Sequence, residues 1–357
     1  MSTSERRRIL RLVQEGKLSV EEAMDQLQHI EENDDSLDTW FLSNGEDHKK
    51  KEQDGSRKER LSSFLNQAIQ KVKDIEHEVT KYEKISHVFL LEEAPIDEIH
   101  VDVTYGSVEI RPWDEPYAQV RCEATVYRAD NPEEAKKTFL KETECNVHKG
   151  MLRLATQPKL IKVKAVLHVP SQSYEVIRGK LVNGSFFGEH LVANKLQVKT
   201  GNGKLTMQHC QAEQIEAEAA NGTIHCKQII ADRLDAETLN GKITCEGEIR
   251  SFDVQSFNGN LLILPRSAKT EAIYAKASTG SIECQLPSGT VVTGDCETNF
   301  GTVNVSLPNT RSVREKEDWL SKRFRLQHEE GLPPTVHLFA QTKTGTITIK
   351  SASVSSS

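Results

Sequence analysis

A glycine recurs along the second half of the chain at a nearly fixed interval, and the residues around it recur with it. The repeated segments are LVNGSF, TGNGKLTM, AANGTIHC, TLNGKITC, SFNGNLLI, ASTGSIEC, TNFGTVNV and TKTGTITI. Their anchoring glycines are Gly184, Gly203, Gly222, Gly241, Gly259, Gly280, Gly301 and Gly345. The steps between these glycines are 19, 19, 19, 18, 21, 21 and 44 residues. A period near twenty predicts a stack of similar units.

Each repeat carries the alternation of a half-buried strand. The residues two and four positions after the glycine are apolar, as Ile243 and Cys245 are after Gly241. The residues between and before them are mostly polar, as Lys242 and Thr244 are. Period-two alternation of this kind is typical of a strand with one face inward. A second apolar pair precedes each turn and predicts a second strand.

The turn between the two strands is Asn-Gly in five of the repeats, which supplies positive φ at little steric cost. Asn-Gly turns fit either a row of antiparallel hairpins or a parallel β-solenoid in which each coil stacks on the one before. We favour the solenoid, because only a stack needs the same residue class at the same offset in every unit. The predicted turn residues are Asn183, Gly184, Asn202, Gly203, Asn221, Gly222, Asn240, Gly241, Asn258 and Gly259.

The predicted fold is therefore mainly β, a parallel β-solenoid (β-helix) of about eight coils of roughly 19 to 21 residues over 171–350. Residues 87–170 resemble an irregular first end, since Tyr105-Gly106 matches the template about eighty residues before the array. Asn131, as cap, and Pro132 mark a short helix in that region. The insertion 309–334 predicts a helix at Val313–Leu326, either folded over the stack or contacting a partner or membrane.

The front of the chain has a different character. Residues 1–32 predict a small helical hairpin, with Gly16 ending the first helix and Ser19 to Glu22 capping the second. Residues 33–59 are polar and charged, which is typical of a flexible linker. The serine-rich end, 351–357, predicts a disordered tail.

Residues 60–86 carry an apolar seam at heptad spacing. Such a helix either pairs with another chain or covers the open end of the solenoid. The predicted self-association residues are Leu61, Leu65, Ala68, Val72, Ile75, Val79 and Tyr82.

The composition of the chain argues against several classes of function. The net charge of −7 argues against a nucleic-acid binder held by bulk charge. Apolar runs are too short for a membrane span, and the first residues lack an apolar signal core. Cys226, Cys245 and Cys284 share one inward column, where we expect reduced thiols rather than a zinc site or a disulfide. We predict no metal and no cofactor, and a cytoplasmic or membrane-associated location, with a non-classical route to the surface left open.

No catalytic motif of the hydrolase, metalloprotease or nucleotide-binding types occurs in the sequence. The outward positions of the repeats are mainly Lys, Thr, Ser, Asn and His, with few carboxylates. We therefore predict no catalytic residues and a binding ladder instead. Its members are Lys204, Thr206, Thr223, His225, Lys242 and Thr244.

The opening ERRRILRLVQEGKLSVEEAMDQL resembles the SHOCT-like helical-hairpin module of certain Gram-positive proteins. The Asn-Gly coil resembles the adhesin-like β-strand-repeat family of unknown biochemical function that follows that module. Chains with this layout are similar to the Lia-type envelope-stress effector family. The resemblance implies a non-enzymatic role in the cell-envelope stress response, and it transfers no site residues.

We therefore expect an interaction scaffold whose solenoid contacts a protein or envelope component and whose helices mediate assembly. One alternative is a β-helix enzyme acting on envelope glycans. Another is a nucleic-acid-binding regulator that uses Arg6, Arg7, Arg8 and Arg11, although no nucleic acid is expected as a partner.

Overall fold

The computed structural model describes residues 81–91, 95–156, 160–308, 310–318, 321–328 and 336–352. All of them belong to the second of the two units into which the chain divides, Arg60–Ser357. The predicted hairpin at 1–32, the linker at 33–59 and the heptad segment before residue 81 lie outside the described residues.

The described residues form strands almost throughout. The first strands are β1 (Tyr82–Leu91), β2 (Glu98–Trp113), β3 (Ala118–Tyr127), β4 (Thr143–His148), β5 (Met151–Thr156), β6 (Ile161–Pro170), β7 (Ser173–Asn183), β8 (Phe186–Glu189), β9 (Val192–Asn202), β10 (Leu205–Gln208) and β11 (Gln211–Asn221). The later strands are β12 (Ile224–Asn240), β13 (Ile243–Asn258), β14 (Leu261–Pro265), β15 (Ala272–Thr279), β16 (Ile282–Leu286), β17 (Val292–Phe300), β18 (Val303–Ser306), β19 (Thr310–Asp318), β20 (Ser321–His328), β21 (Val336–Thr344) and β22 (Ile347–Ser351). The helix within these ranges is α1 (Pro132–Glu142).

The mainly β class is confirmed, and consecutive repeats pair in parallel. Leu205 lies opposite Ile224, and Ile224 lies opposite Ile243, so the apolar positions two residues after each glycine form one column. The strands before the turns pair in the same register, with Asn202 opposite Asn221 and Asn221 opposite Asn240. Parallel pairing in this register excludes the row of antiparallel hairpins for these repeats.

Two parallel tracks run through the stack, one on each side of the glycine turns. The first track follows the order β5, β2, β7, β9, β11, β12, β13, β15, β21, β17. The second follows β6, β2, β8, β10, β12, β13, β14, β16, β22, β18. The long strands β2, β12 and β13 take part in both tracks.

The order of repeats in space differs from the eight consecutive coils that the sequence predicts. The last repeat, β21 with β22, inserts between the repeats of Gly280 and Gly301. The early repeat at Gly106 continues the stack directly, because Tyr105 lies opposite Asn183. The chain thus adds its final repeat to the interior of the stack and leaves β18 in an outer position.

The predicted helix at Val313–Leu326 is wrong. Residues 310–318 and 321–328 form the antiparallel strands β19 and β20, and β20 pairs with the edge of β17. Pairing gives the N–H and C=O groups along that edge hydrogen-bond partners, which a helix could not supply. Leu326 and Phe324 alternate inward along β20, with Phe324 opposite Cys296.

Two further boundaries predicted from the sequence differ from those in the structure. Residues 82–86, placed in the heptad helix, belong to β1, where Tyr82 lies opposite Tyr127 of β3. Ile85 and Phe89 alternate with exposed residues along that strand, so a period of two prevails over the heptad spacing. Ser351, placed in the disordered tail, ends β22, and the Ala352 amide donates to the Leu286 carbonyl at 2.7 Å. Residues 353–357 lie outside the described residues.

The core is the row of inward columns, continuous through the stack. Ile224, Ile243 and Leu261 are all at most 1% exposed. At the first end the antiparallel strands β1, β3 and β4 close the tracks, and α1 packs on them through Ala135 and Phe139. The predicted helix start is confirmed, because Asn131 Oδ1 accepts from the Glu134 amide at 2.9 Å. The inward columns therefore form one continuous, mainly apolar core along the stack.

Candidate functional site

The Asn-Gly turns form a side-chain ladder along one corner of the stack. Four of the five asparagine amides donate from Nδ2 to Oδ1 of the asparagine in the preceding repeat. The four bonds are Asn202 to Asn183 at 2.6 Å, Asn221 to Asn202 at 3.0 Å, Asn240 to Asn221 at 2.8 Å and Asn258 to Asn240 at 3.0 Å. The predicted turn residues are thus brought together as a structural unit.

The glycines of these turns stack as closely as their backbones allow. A Cβ built on Gly222 would fall well inside contact distance of the Gly203 carbonyl oxygen. A Cβ built on Gly203 would likewise overlap the Gly184 carbonyl oxygen. The φ of Gly203, +149°, is also unfavourable for other residues. The corner therefore tolerates no side chain at the glycine position.

The predicted binding ladder lies together on the outer side of the second track. Thr206, His225 and Thr244 are register partners in adjacent repeats. Lys204, Thr223 and Lys242 form the neighbouring column, joined by hydrogen bonds from Leu205 to Thr223 and from Ile224 to Lys242. The lysines and Thr223 are exposed and His225 is half-buried, whereas Thr206 is only 6% exposed.

The column of Lys204 extends over nine repeats and the neighbouring strand β6, and we call it the donor column. Its members are exposed or half-buried lysines, serines, threonines and one asparagine. In order they are Lys164, Ser107, Ser185, Lys204, Thr223, Lys242, Asn260, Ser281, Thr346 and Thr302. At a strand spacing of about 4.8 Å, these ten residues span on the order of 40 Å. No member of the column carries a carboxylate, so it presents hydrogen-bond donors and positive charge.

The electrostatics around His225 reinforce this cationic character. Burial lowers the pKa of His225, and Lys204, Lys227 and Lys242 lower it further, while Glu246 opposes them. Burial and the nearby lysines act in the same direction, because each disfavours the protonated, positively charged form of the imidazole. His225 is therefore a neutral hydrogen-bonding group among lysines near pH 7.

A shallow groove of about 270 Å³ adjoins the donor column, and sequence reasoning did not find it. Ser107, Ser185, Lys164, Lys204 and Thr206 line it, together with the ring of Phe187. The Arg111 guanidinium lies 5.4 Å from the centre of that ring. A signal existed in the sequence, since Phe187 is an aromatic residue in an outward column that is mainly polar in the following repeats.

On the outer side of the first track, basic side chains form ion pairs with carboxylates of adjacent repeats. Lys195 and Lys199 each lie 2.7 Å from a carboxylate of the next repeat, Glu216 and Glu218. Burial alone would raise the pKa of Glu216, but Lys195, Gln197 and Lys199 outweigh it and lower the pKa. Further along, Arg233 lies 3.0 Å from Asp235 of its own strand and 3.8 Å from Asp253 of the next repeat. These cross-repeat pairs occupy the charges that a ligand would need.

The cysteines lie in the core rather than in a site. Cys226, Cys245 and Cys284 are buried, and burial raises the pKa of Cys284 to about 12. Within the described ranges, no cluster of three or more His, Cys, Asp or Glu side chains could hold a metal ion. In the same part of the chain, no helix combines the length and apolarity needed to cross a membrane.

Comparison with known proteins identifies both parts of the chain. The Toastrack domain model, DUF4097, matches residues 96–331, and a SHOCT-like domain model matches residues 4–35. A Bacillus subtilis (strain 168) protein of uncharacterised function, YvlB, is 38% identical over 359 residues. That alignment covers 97% of this chain and 98% of the relative.

The solved structures that match this chain are less similar to it in sequence than the Bacillus subtilis relative is. A candidate lipid-binding protein from Parabacteroides distasonis aligns with 75% of this chain and 95% of its own, at 13% identity and a TM-score of 0.38. A candidate adhesin from Bacteroides fragilis aligns with 76% of this chain and 97% of its own, at 12% identity and a TM-score of 0.34. The family rests on the domain match and the full-length relative, and on these grounds the chain belongs to the Toastrack (DUF4097) family.

Proposed function

We propose that this protein is a non-enzymatic interaction scaffold of the cell-envelope stress response, built as a β-solenoid of eight regular coils with flanking elements. Its donor column would bind an extended envelope polymer that carries anionic or hydroxyl groups. The observation that carries the proposal is the column itself, in which ten successive members, nine of them in repeats and one on β6, present lysine, hydroxyl or amide groups without a carboxylate.

The spacing and rigidity of the column favour a polymer over a small ligand. Adjacent members lie one strand apart, so Lys204 and Lys242 are about 10 Å apart along the stack. Lys204, Thr223 and Lys242 each come directly before a strand whose first residue is fully buried, namely Leu205, Ile224 and Ile243. Charges held by a rigid support need little ordering on binding, which lowers the entropic cost.

Charge reversal in the donor column should weaken binding to an anionic polymer. In the variant Lys204→Glu with Lys242→Glu, we expect binding of a purified phosphodiester-bearing wall polymer to fall by roughly tenfold or more, because attraction becomes repulsion. The dissociation constant would be measured at several salt concentrations, and the affinity of the unchanged protein should decline with salt.

A matched control carries the same change in net charge away from the column. Lys136→Glu with Lys137→Glu places both reversals on exposed positions of α1. This variant should keep its affinity within about twofold of the unchanged protein, since neither lysine belongs to the donor column and salt screens exposed charges outside the binding site. Equal losses in both variants would mean that net charge alone drives the binding, and the donor column would not be the site.

The role in envelope stress and the assembly role of the helices are proposed from the SHOCT-like match and the resemblance. The predicted hairpin at 1–32, together with the heptad residues from Leu61 to Val79, would mediate assembly, and the protein would act in the cytoplasm or at the membrane surface. Removal of residues 1–32 should lower envelope-stress reporter output in cells treated with a cationic peptide, and it should reduce self-association measured by sedimentation. If both measurements stay unchanged, the modular proposal is wrong.

A further inference from the structure

The five Asn-Gly turns are also sites where an asparagine can modify itself. In an Asn-Gly pair the glycine has no side chain to hinder its backbone nitrogen from approaching the asparagine Cγ. The nitrogen attacks Cγ and loses its proton, the Cγ–Nδ2 bond breaks, and Nδ2 leaves as ammonia with a proton. Water then opens the resulting succinimide to aspartate or, through the main-chain carbonyl, to isoaspartate. The net change consumes one water and releases one ammonia, with no oxidant or reductant.

We propose that the stacked corner is a set of latent self-modification sites, inert while the repeats are stacked and active once they separate. The first protection lies on the attacking atom. The amide nitrogens of Gly184, Gly203, Gly222, Gly241 and Gly259 all donate to the carbonyl of the corner residue in the next repeat, at 2.8 to 3.0 Å. A nitrogen held in that bond points along the stack, and its hydrogen bond must break before it can attack.

The second protection lies on the group that would be attacked. Asn202, Asn221 and Asn240 each donate through Nδ2 and accept through Oδ1, so the amide is held at both atoms. The ladder ends at Asn258, because the next residue in its column is Thr279, which carries no amide. Asn258 therefore keeps one ladder bond, and its neighbour Phe257 is 55% exposed.

This difference ranks the sites within the folded protein. The interior asparagines, Asn202, Asn221 and Asn240, should react only when a repeat opens and breaks two ladder bonds and one backbone bond. The two end asparagines, Asn183 and Asn258, should react first, since each is held by only one ladder bond. In the unfolded chain all five lose these restraints and should react at similar rates.

The product would prevent the stack from forming again. Isoaspartate lengthens the backbone by one carbon at a corner where successive glycines already meet at contact distance. Either product also places a negative charge in a column whose members lie about 4.8 Å apart. A chain that has stayed unfolded would thus become permanently unable to restack, which turns the corner into a record of time spent unfolded.

The test compares the full-length protein folded in buffer with the same protein held in concentrated urea at the same pH and temperature. Peptide mapping by mass spectrometry would follow conversion of amide to acid at each of the five sites, with isoaspartate distinguished from aspartate. We expect conversion at Asn202, Asn221 and Asn240 to be at least about tenfold slower in the folded protein, because it requires local opening. Similar rates in the two states would overturn the proposal.

A single variant separates the ladder from the backbone bonds. Asn202→Thr introduces the residue that Thr279 and Thr344 supply at the same corner position, and it removes a ladder bond from Asn221 and from Asn183. In the folded variant we expect conversion at Asn221 to rise several-fold while Asn258, two ladder bonds further along, keeps its rate. Unchanged conversion at Asn221 would overturn the role of the side-chain ladder. The folded-against-urea comparison needs no variant and stands if this one fails to fold.

Discussion

Gly222→Ala should destabilise the protein by on the order of 4 kcal/mol or more, the range reached only by severe structural conflicts. The added methyl group would overlap the Gly203 carbonyl oxygen, and the nearby atoms are backbone that cannot rotate away. The repeats of Gly203 and Gly222 would have to separate, which would break the hydrogen bond from the Gly203 amide to the Asn221 carbonyl at 3.0 Å. Equilibrium unfolding in urea, followed by circular dichroism, measures the loss.

Gly289→Ala is the matched control, because it isolates backbone strain from steric overlap. Gly289 has a φ of +83°, yet no atom lies within 4 Å of a Cβ built on it. Alanine there should cost only about 1 to 2 kcal/mol, the usual penalty of the left-handed region. If Gly222→Ala proves no more harmful than Gly289→Ala, close stacking at the corner is not what requires glycine.

Ile243→Asp should be comparably severe, with an expected loss of about 4 kcal/mol or more. Ile243 is fully buried between Ile224 and Leu261 of the adjacent repeats, so the carboxylate would have neither water nor a partner. Desolvation would raise the pKa of this carboxyl above its unfolded value. The loss of stability should therefore shrink as the pH falls from the folded-state pKa to the unfolded-state pKa, below which the carboxyl is protonated in both states. Urea unfolding at neutral and acidic pH measures both effects.

Lys242→Thr tests the outward position directly before Ile243. Lys242 is exposed in the donor column, next to Thr223 of the adjacent repeat, and threonine suits a strand. Its expected effect on stability is within about 0.5 kcal/mol. Comparable losses for Ile243→Asp and Lys242→Thr would contradict the assignment of inward and outward positions.

The columns could be predicted from the sequence because each repeat carries the same residue class at the same offset. Ile224 and Ile243 share an offset from their glycines, and they are register partners in the structure. The asparagine corner follows from the same logic, as does the grouping of Thr206, His225 and Thr244 on one face. The hydrogen bonds between the asparagines needed the structure, since the offset fixes the column but not the rotation of an amide.

The region of residues 310–328 shows where local pattern misleads. Phe324 and Leu326 are two residues apart, which suits a strand, but the apolar residues before them also fit a helical face. The edge of β17 decides between these options, because its unpaired backbone groups favour a strand beside them. The groove at Phe187 was likewise missed, since its walls come from β2, β6, β8 and β10, which are distant in sequence.

The sequence by itself determined the strand class, the turn residues, the inward columns and the polarity of the outer face, all of which depend on spacing within one repeat. Only the tertiary structure decided that the Gly345 repeat lies between those of Gly280 and Gly301, and that a hairpin rather than a helix pairs with β17. The physical reason is that similar columns fit one another in any order. The order is then chosen by contacts between distant segments, which no single repeat encodes.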